Sequence, residues 1–300
     1  MKTPTLSRNS VSRDVVGLVD LVVNAIPLPY ACDLQSSESP RSINMPNVQY
    51  EVRNHVAEIL LGNGPVNALD ESVVDDLLAA FQRASEDQTA RVVILGSAIP
   101  KRFCAGLKLD TFRYGSASQI HTLIDKLYVK LCDAQFNLGK PSIAAISGAA
   151  RGGGMTLAIS CDLLVAEETA TFGYPEIDVG LIPAIHYTHL HRIVGRHRAF
   201  DLLFSGRSFG AKEAMELGLV NRIVAEGTAL DEARKLAQVL SAKSPEVMRL
   251  GRAAFMRALD SDYRRGVAGA VESVCNVAAT ADAREGIAAF VEKRKPVWAD

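Results

Sequence analysis

The sequence predicts an α/β domain that gives way to a helical region, on three observations. Short β-type runs alternate with helix-like segments from Val48 to about residue 230. A glycine run, Gly152–Gly154, stands between a strand-like run and an apolar helix-like one. From about Asp231 to Lys293 the pattern is almost wholly helical and rich in Ala, Leu and Arg. With 300 residues, 48% of them apolar, the chain can bury a substantial core. A formal net charge of −1, with acids and bases interspersed, leaves no basic footprint for nucleic acid. No apolar run reaches the roughly 18 residues of a membrane span, so no membrane partner is expected either.

The five cysteines, Cys32, Cys104, Cys132, Cys161 and Cys275, are widely spread without a C-x-x-C pair. That supports neither a disulfide framework nor a zinc knuckle and suits a reducing, cytoplasmic setting. Residues 1–47 differ from the rest: "MKTPTLSRNSVSRD" is basic and hydroxyl-rich, and residues 15–31 are apolar. This resembles a targeting peptide, but Asp20 and Asn24 interrupt the apolar run. A disordered leader or an over-called start is expected, with a transit peptide to an organelle matrix as the alternative.

The elements follow in order. "VQYEVR" and "VAEILL" are strand-like and separated by "NH", a hairpin break. Asp70 is a plausible N-cap for the helical spacing of residues 71–87. "RVVILGS" reads as a buried strand, "CAGLKLD" as a glycine-broken loop, residues 119–137 as a helix and "PSIAAISG" as a strand. After the glycine run and its helix come two short strands, "CDLLVAEE" and "ATFGYPE". The expected domains are a leader (1–47), an α/β core (48–230) and a helical region (231–300).

A glycine run between strand and helix serves either a tight packing turn or the close approach of a ligand to free N–H groups. "GAARGGGMT" lacks the spacing of a dinucleotide fingerprint and of a phosphate loop. A second glycine-opened strand end, Ala105–Gly106, lies upstream. Two such loops could aim two N–H donors at one oxygen, the recipe for an oxyanion hole. Glu176, just after Pro175, is a candidate general base. Asp178, two residues on, is a second candidate carboxylate and ranks below Glu176, since it is expected to point away from the site.

These stretches, "PVNALD" (65–70), "FCAGLKLD", "ISGAARGGGMTLAISCD", "FGYPEIDVGLIP", "FSGRSFGAKEAMELGLVNRIV" (204–224) and "EGIAAFVEKRKPVW" (285–298), resemble the enoyl-CoA hydratase/isomerase, or crotonase, superfamily over residues 48–298. The resemblance implies a spiral of β-β-α units followed by a C-terminal helical trimerisation region, as a homotrimer or a dimer of trimers. It implies an acyl-CoA thioester as substrate, coenzyme A being part of it, and no separate cofactor. The oxyanion amides would belong to Leu107 and Gly153, with Glu176 as acid–base. Cys104, Ala105, Gly106, Lys108, Gly152 and Pro175 would border the thioester.

The sequence departs from the family pattern at three places. The first of the two hydratase glutamates falls on Thr156, whose hydroxyl is far too weak an acid to shuttle protons near neutral pH. Leu107 and Lys108 follow the first loop's glycine; Lys108 either reaches a CoA phosphate or is simply solvated. After Pro183, His186, His189 and His191 replace a glycine-rich segment. No acidic partner is evident for a metal, so His186 or Tyr187 is expected to line the acyl pocket, with His186 as a second proton donor or a buried structural histidine. Cys104 lacks a partner base and reads as a small core residue. The resulting expectation is isomerase-like proton transfer by one glutamate. Hydration with a non-standard second acid and an inactive CoA-thioester binder are the alternatives.

Overall fold

The first hairpin forms because its two-residue break can adopt a left-handed backbone. β1 (Val48–Arg53) and β2 (Val56–Leu61) pair antiparallel, and Asn54 and His55 between them have φ of 50° and 65°. Two positive φ values in succession match the twist of the flanking strands. This computed structural model describes residues 47–259 and 277–297, with positions 264, 267, 271, 274 and 275 between them. Asn47 apart, the leader expected over residues 1–47 lies outside the described residues.

After β3 (Ala68–Leu69), helix α1 (Glu71–Glu86) starts where Asp70 accepts the Val73 N–H at 3.1 Å. Its buried face is Val73, Val74, Leu77, Ala80, Phe81 and Ala84, the three-and-four spacing of an amphipathic helix. β4 (Val92–Ser97) is buried along most of its length, as a central parallel strand must be. "CAGLKLD" is more ordered than the loop expected: β5 (Arg102–Cys104), β6 (Gly106–Leu107) and α2 (Leu109–Tyr114) run almost without a break. The pairing of β6 with β3 supplies backbone partners that local sequence does not announce. The helix expected over 119–137 comprises α3 (Ala117–Asp125), a π-helical stretch (Lys126–Leu131) and α4 (Cys132–Phe136). Ser116 and Gln119 cap its start reciprocally.

The chain then repeats one unit. β7 (Ser142–Ile146), β8 (Ala149–Arg151) and α5 (Gly153–Ile159) are followed by β9 (Leu163–Glu167), β10 (Thr171–Gly173) and a 3₁₀ turn (Pro175–Val179). Next come α6 (His186–Val194), α7 (Arg196–Ser205), β11 (Ser208–Gly210), α8 (Ala211–Glu216) and β12 (Arg222–Val224). Successive strands feed two sheets: β1-β2-β4-β7-β9-β12 in one and β11-β10-β8-β5 in the other. This alternation is the β-β-α spiral. β5, β8 and β10 are parallel, so their carboxyl ends, where the glycine loops begin, emerge on the same edge.

Three helices of the C-terminal region pack against the core. α9 (Ala229–Ser241) buries Ala233, Leu236 and Ala237 in a cluster with Val92, Ile94, Ile143 and Val165 of the larger sheet. α10 (Pro245–Leu259) carries Arg252, which is buried and bridges Asp162 at 2.8 Å. α11 (Ala281–Val291) returns to the 3₁₀ turn, where Gly286 packs so tightly that a Cβ would stand 2.5 Å from the Val179 carbonyl group. Among the described residues no helix is long and apolar enough to cross a membrane.

Candidate active site

Two glycine turns bring two backbone donors together. At the first, the Ala105 N–H donates to the Val66 carbonyl at 3.0 Å and the Lys108 N–H to that of Leu69 at 2.8 Å. Gly106 sits between them with φ of +89°, open to glycine and strained for other residues. Neighbouring N–H groups of an extended strand face opposite ways, so the Leu107 N–H turns away from β3. At the second, Gly152 (φ 49°, ψ −113°) precedes Gly153, the first residue of α5. A Cβ on Gly106 would lie 3.2 Å from the Gly153 nitrogen, and one on Gly153 would lie 3.5 Å from the Leu107 nitrogen. The two amides therefore border one small space, at the positive end of a helix. Gly154 serves packing instead, since a Cβ there would collide with the backbone of Cys104; its absence lets α5 sit on β5.

Glu176 stands directly over the second turn. A Cβ on Gly152 would come within 2.8 Å of its Oε1. Any side chain here would displace the carboxylate, and the φ of 49° itself favours glycine. Although the residue as a whole is partly exposed, its Oε2 is closed off from solvent and has no hydrogen-bond partner. Loss of solvation pushes the carboxyl pKa up to about 7. The carboxyl group is thus poised to take or return a proton near neutral pH. Tyr128 and Tyr174, both deeply buried, lie close enough for the Glu176 charge to add to the burial that raises their pKa values. The Tyr174 hydroxyl is buried without a partner.

Thr156 does not face a carboxylate. Its Oγ1 lies 3.3 Å from His186 Nε2, and His186 Nδ1 lies 2.9 Å from His189 Nε2. Thr156 and His186 are each 1% exposed. Burial, with the neighbouring His189, holds the His186 pKa well below its usual value, and His189 is depressed to about 3, again mainly by burial. Both rings are neutral at physiological pH. The expectation that His186 supplies a proton meets this obstacle: a neutral imidazole locked between two partners is a poor acid. The ring of His186 also packs edge-on against Tyr174, centroids 4.5 Å apart.

The remaining sequence candidates separate. Lys108 is half exposed, with Nζ 3.8 Å from Asp70, beside a cavity of about 450 Å³ that also touches Asp110, Tyr114 and Gln119. A cavity of about 360 Å³ lies instead around Lys101 and Glu226, away from Glu176. Cys104, placed by sequence among the thioester-bordering residues, is fully buried. Its thiol donates to the Asn67 carbonyl at 3.1 Å, and burial pushes its pKa up to about 12. Its role at the site is confined to backbone and packing. Pro175 opens the 3₁₀ turn, whose fixed φ suits that place. Asp178 faces Gly206 rather than Gly152, because the segment is a 3₁₀ turn. Asp162 accepts the Ser142 N–H at 2.8 Å, as an orienting residue would. His186 and His189 meet directly, while His191 is exposed and its Nδ1 lies 2.9 Å from the Tyr187 carbonyl.

Sequence reasoning missed the His186–His189 contact and the buried Tyr174. The first carried a signal: a spacing of three places two residues on one helical face.

The spiral of paired strands with glycine turns on one edge has counterparts among solved structures. A crystal structure of an enoyl-CoA hydratase/isomerase from Pseudoalteromonas atlantica is similar at a TM-score of 0.76 and 26% identity, covering 84% of this chain and 100% of that one. The family model for enoyl-CoA hydratase/isomerase matches residues 51–300. Probable enoyl-CoA hydratase 2, mitochondrial, of Arabidopsis thaliana is 38% identical over 235 residues, 77% of each chain. The putative enoyl-CoA hydratase/isomerase YngF of Bacillus subtilis is 34% identical over 258 residues, 84% of this chain and 98% of its own. The chain belongs to the enoyl-CoA hydratase/isomerase family and is an acyl-CoA enzyme of that family.

Proposed function

We propose that this enzyme shifts a double bond within an enoyl-CoA by proton transfer, with Glu176 as its one acid–base group. The substrate thioester oxygen would rest against the N–H groups of Leu107 and Gly153. Glu176 would take a proton from C2 of a 3-enoyl-CoA, and the electron pair would delocalise into a dienolate held by the two donors. The same carboxyl would return the proton at C4, leaving the 2-enoyl-CoA. No water is consumed, and coenzyme A is needed only as part of the substrate.

The observation that carries this reading is the engagement of Thr156. At the position of the family's first hydratase glutamate, the hydroxyl is tied to a buried neutral histidine. Nothing there matches a carboxylate that could hold and activate water. The Glu176 pKa of about 7 suits a group that must both accept and release a proton. Hydration is the second reading, favoured by the hydratase name of the Arabidopsis relative. That relative's mitochondrial name also keeps an organelle matrix open beside the cytoplasm. A homotrimer or dimer of trimers is the proposed assembly.

A side-by-side assay with a 2-enoyl-CoA and a 3-enoyl-CoA, products read by mass, tests the reading. Conversion of the 3-enoyl substrate at constant mass supports it. Gain of one water by the 2-enoyl substrate with no isomerisation overturns it in favour of hydration. Binding without turnover of either points to a CoA-thioester binder.

A further inference from the structure

We propose that the cavity beside Lys101 and Glu226 is a second binding site, which takes a small organic cation, a primary alkylammonium, on the carboxylate of Glu167. The inference is independent of the oxyanion and acid–base readings above.

The cavity follows from residue size at the ends of three parallel strands. Along β4, β7 and β9, side chains alternate between the two faces of the large sheet. Val92, Ile94, Ile143 and Val165 pack with α9, while Val93, Leu95, Ala144, Leu164 and Ala166 belong to the main core. Continued along each strand, the same alternation puts Gly96, Ala145, Ser147 and Glu167 on the α9 face. Gly96 has no side chain, and a Cβ there would stand 3.8 Å from that of Ala145. Two such small neighbours leave the sheet and the start of α9 apart. A cavity of about 360 Å³ lies between them, bordered by Ser147, Glu167 and Leu230. That is the small end of the range for sites that enclose small molecules.

One wall carries a charge without a partner. Glu167 is 3% exposed, and among the described residues its carboxylate has no hydrogen bond or ion pair. Glu58 shows what a buried carboxylate in this chain otherwise has: Arg234 donates to both its oxygens, at 2.7 and 2.8 Å. Burial of an ion without such a partner is costly. The cation at the rim is engaged elsewhere, since Lys101 Nζ lies 2.6 Å from Glu226 Oε1. Its turn is tightly packed as well. Lys101 has φ of 58°, and a Cβ on Gly148 would meet its carbonyl oxygen at 2.2 Å.

The chemistry that completes this wall is a hydrogen-bonding cation. Two carboxylates against one lysine disfavour an anion. Mg²⁺ and Ca²⁺ take about six to eight oxygen donors, and among the described residues no three acidic, histidine or cysteine side chains converge on a metal position. An ammonium group needs less. Its N–H groups would donate to Glu167 in charge-assisted bonds and to Ser147, whose hydroxyl already donates to the Arg102 carbonyl and so has its oxygen left to accept. The carbon chain would lie over Ala145, between Ile99 and Leu230.

Calorimetric titration of the whole protein with n-butylammonium chloride, against sodium chloride at equal ionic strength, tests the assignment. One saturable site is expected for the amine, with uncharged 1-butanol binding about tenfold more weakly or worse. Glu167→Gln keeps the side chain's shape and removes its charge, and should weaken the amine about tenfold or more. Lys101→Ala removes the rim's positive charge and should tighten it by about twofold to fivefold. Glu176→Gln should bind the amine as the wild type does. No saturable amine site in the wild type, or equal binding by Glu167→Gln, overturns the proposal. Should Glu167→Gln fail to fold, unchanged or weaker binding by Lys101→Ala overturns it. Loss of the amine site in Glu176→Gln would move the site to the acid–base group and overturn it too. Tighter binding of magnesium or calcium chloride than of the amine, lost in Glu167→Gln, overturns the ammonium assignment in favour of a metal.

Discussion

The two sides of the site are built from different materials. On the side proposed to hold the oxyanion, Leu107 and Gly153 present backbone N–H groups to one small space, and the surrounding glycines contribute room. On the proton side, Glu176, Thr156, His186 and His189 contribute side chains whose charge states are set by burial. A backbone donor is indifferent to the residue that bears it, so Leu107 can stand where the family pattern has a small residue. The side-chain half has no such tolerance. Under the proposed function, one change of residue type, a threonine in place of an acid, decides which reaction the site favours.

The largest expected effect breaks the proton side. Glu176→Gln should lower kcat by about 10³-fold or more, within the range of a lost acid–base group, while CoA-thioester affinity measured by calorimetry stays within a few-fold. Retained turnover would move the base elsewhere. The wild-type rate should rise with pH through about 7, as the carboxyl ionises. The same raised pKa opposes folding once the group is charged. Its stability contribution is fully present below the usual carboxyl pKa of 4.5 and is lost as pH rises through about 7. Glu176→Gln should therefore be more stable than wild type in mildly alkaline solution, by up to about 3 kcal/mol at about 1.4 kcal/mol per pKa unit. The two should melt alike near pH 4, as thermal unfolding would show.

Breaking the oxyanion side should cost somewhat less. Gly153→Pro removes the donor at a first helical position that otherwise accepts proline, and kcat should fall by about 10²- to 10³-fold. Its ring would also press on Leu69 and Leu127, which a Cβ would approach to 3.2 and 3.3 Å. Normal turnover would remove Gly153 from the hole.

Thr156→Glu sharpens the comparison by restoring an acid to the proton side. Hydration of a 2-enoyl-CoA should rise about tenfold or more, and no gain would show that Thr156 is not what limits hydration. The smallest effect belongs to the rim. Lys108→Ala should raise KM by no more than a few-fold, because an exposed lysine 3.8 Å from Asp70 interacts weakly. A larger rise in KM would assign it to a CoA phosphate.

Much of the oxyanion side was legible in the sequence. The glycines at 106 and 152–154, the strand runs before them and the cap at Asp70 are local signals, and each lies where its neighbours along the chain predicted. β6 was not legible, because its partner β3 lies more than thirty residues upstream. The burial of Cys104 was legible, but its partner was not, since its thiol donates to the carbonyl of Asn67, far upstream. Thr156 was identified as the departure from the hydratase pattern, but its partner was not, since α5 and α6 meet only in the folded chain.

By itself, then, the sequence determined the order of elements, the two glycine turns and a candidate carboxylate, Glu176, which the structure places beside Gly152. These follow from backbone conformational preference and apolar spacing, properties of a residue and its near neighbours. Only the tertiary structure decided that Glu176 Oε2 is closed off from solvent, that His186 and His189 are neutral, and that His186 lies against the Thr156 hydroxyl. Those depend on desolvation and on partners thirty or so residues away, and a side chain's charge is a property of its surroundings rather than of its place in the chain.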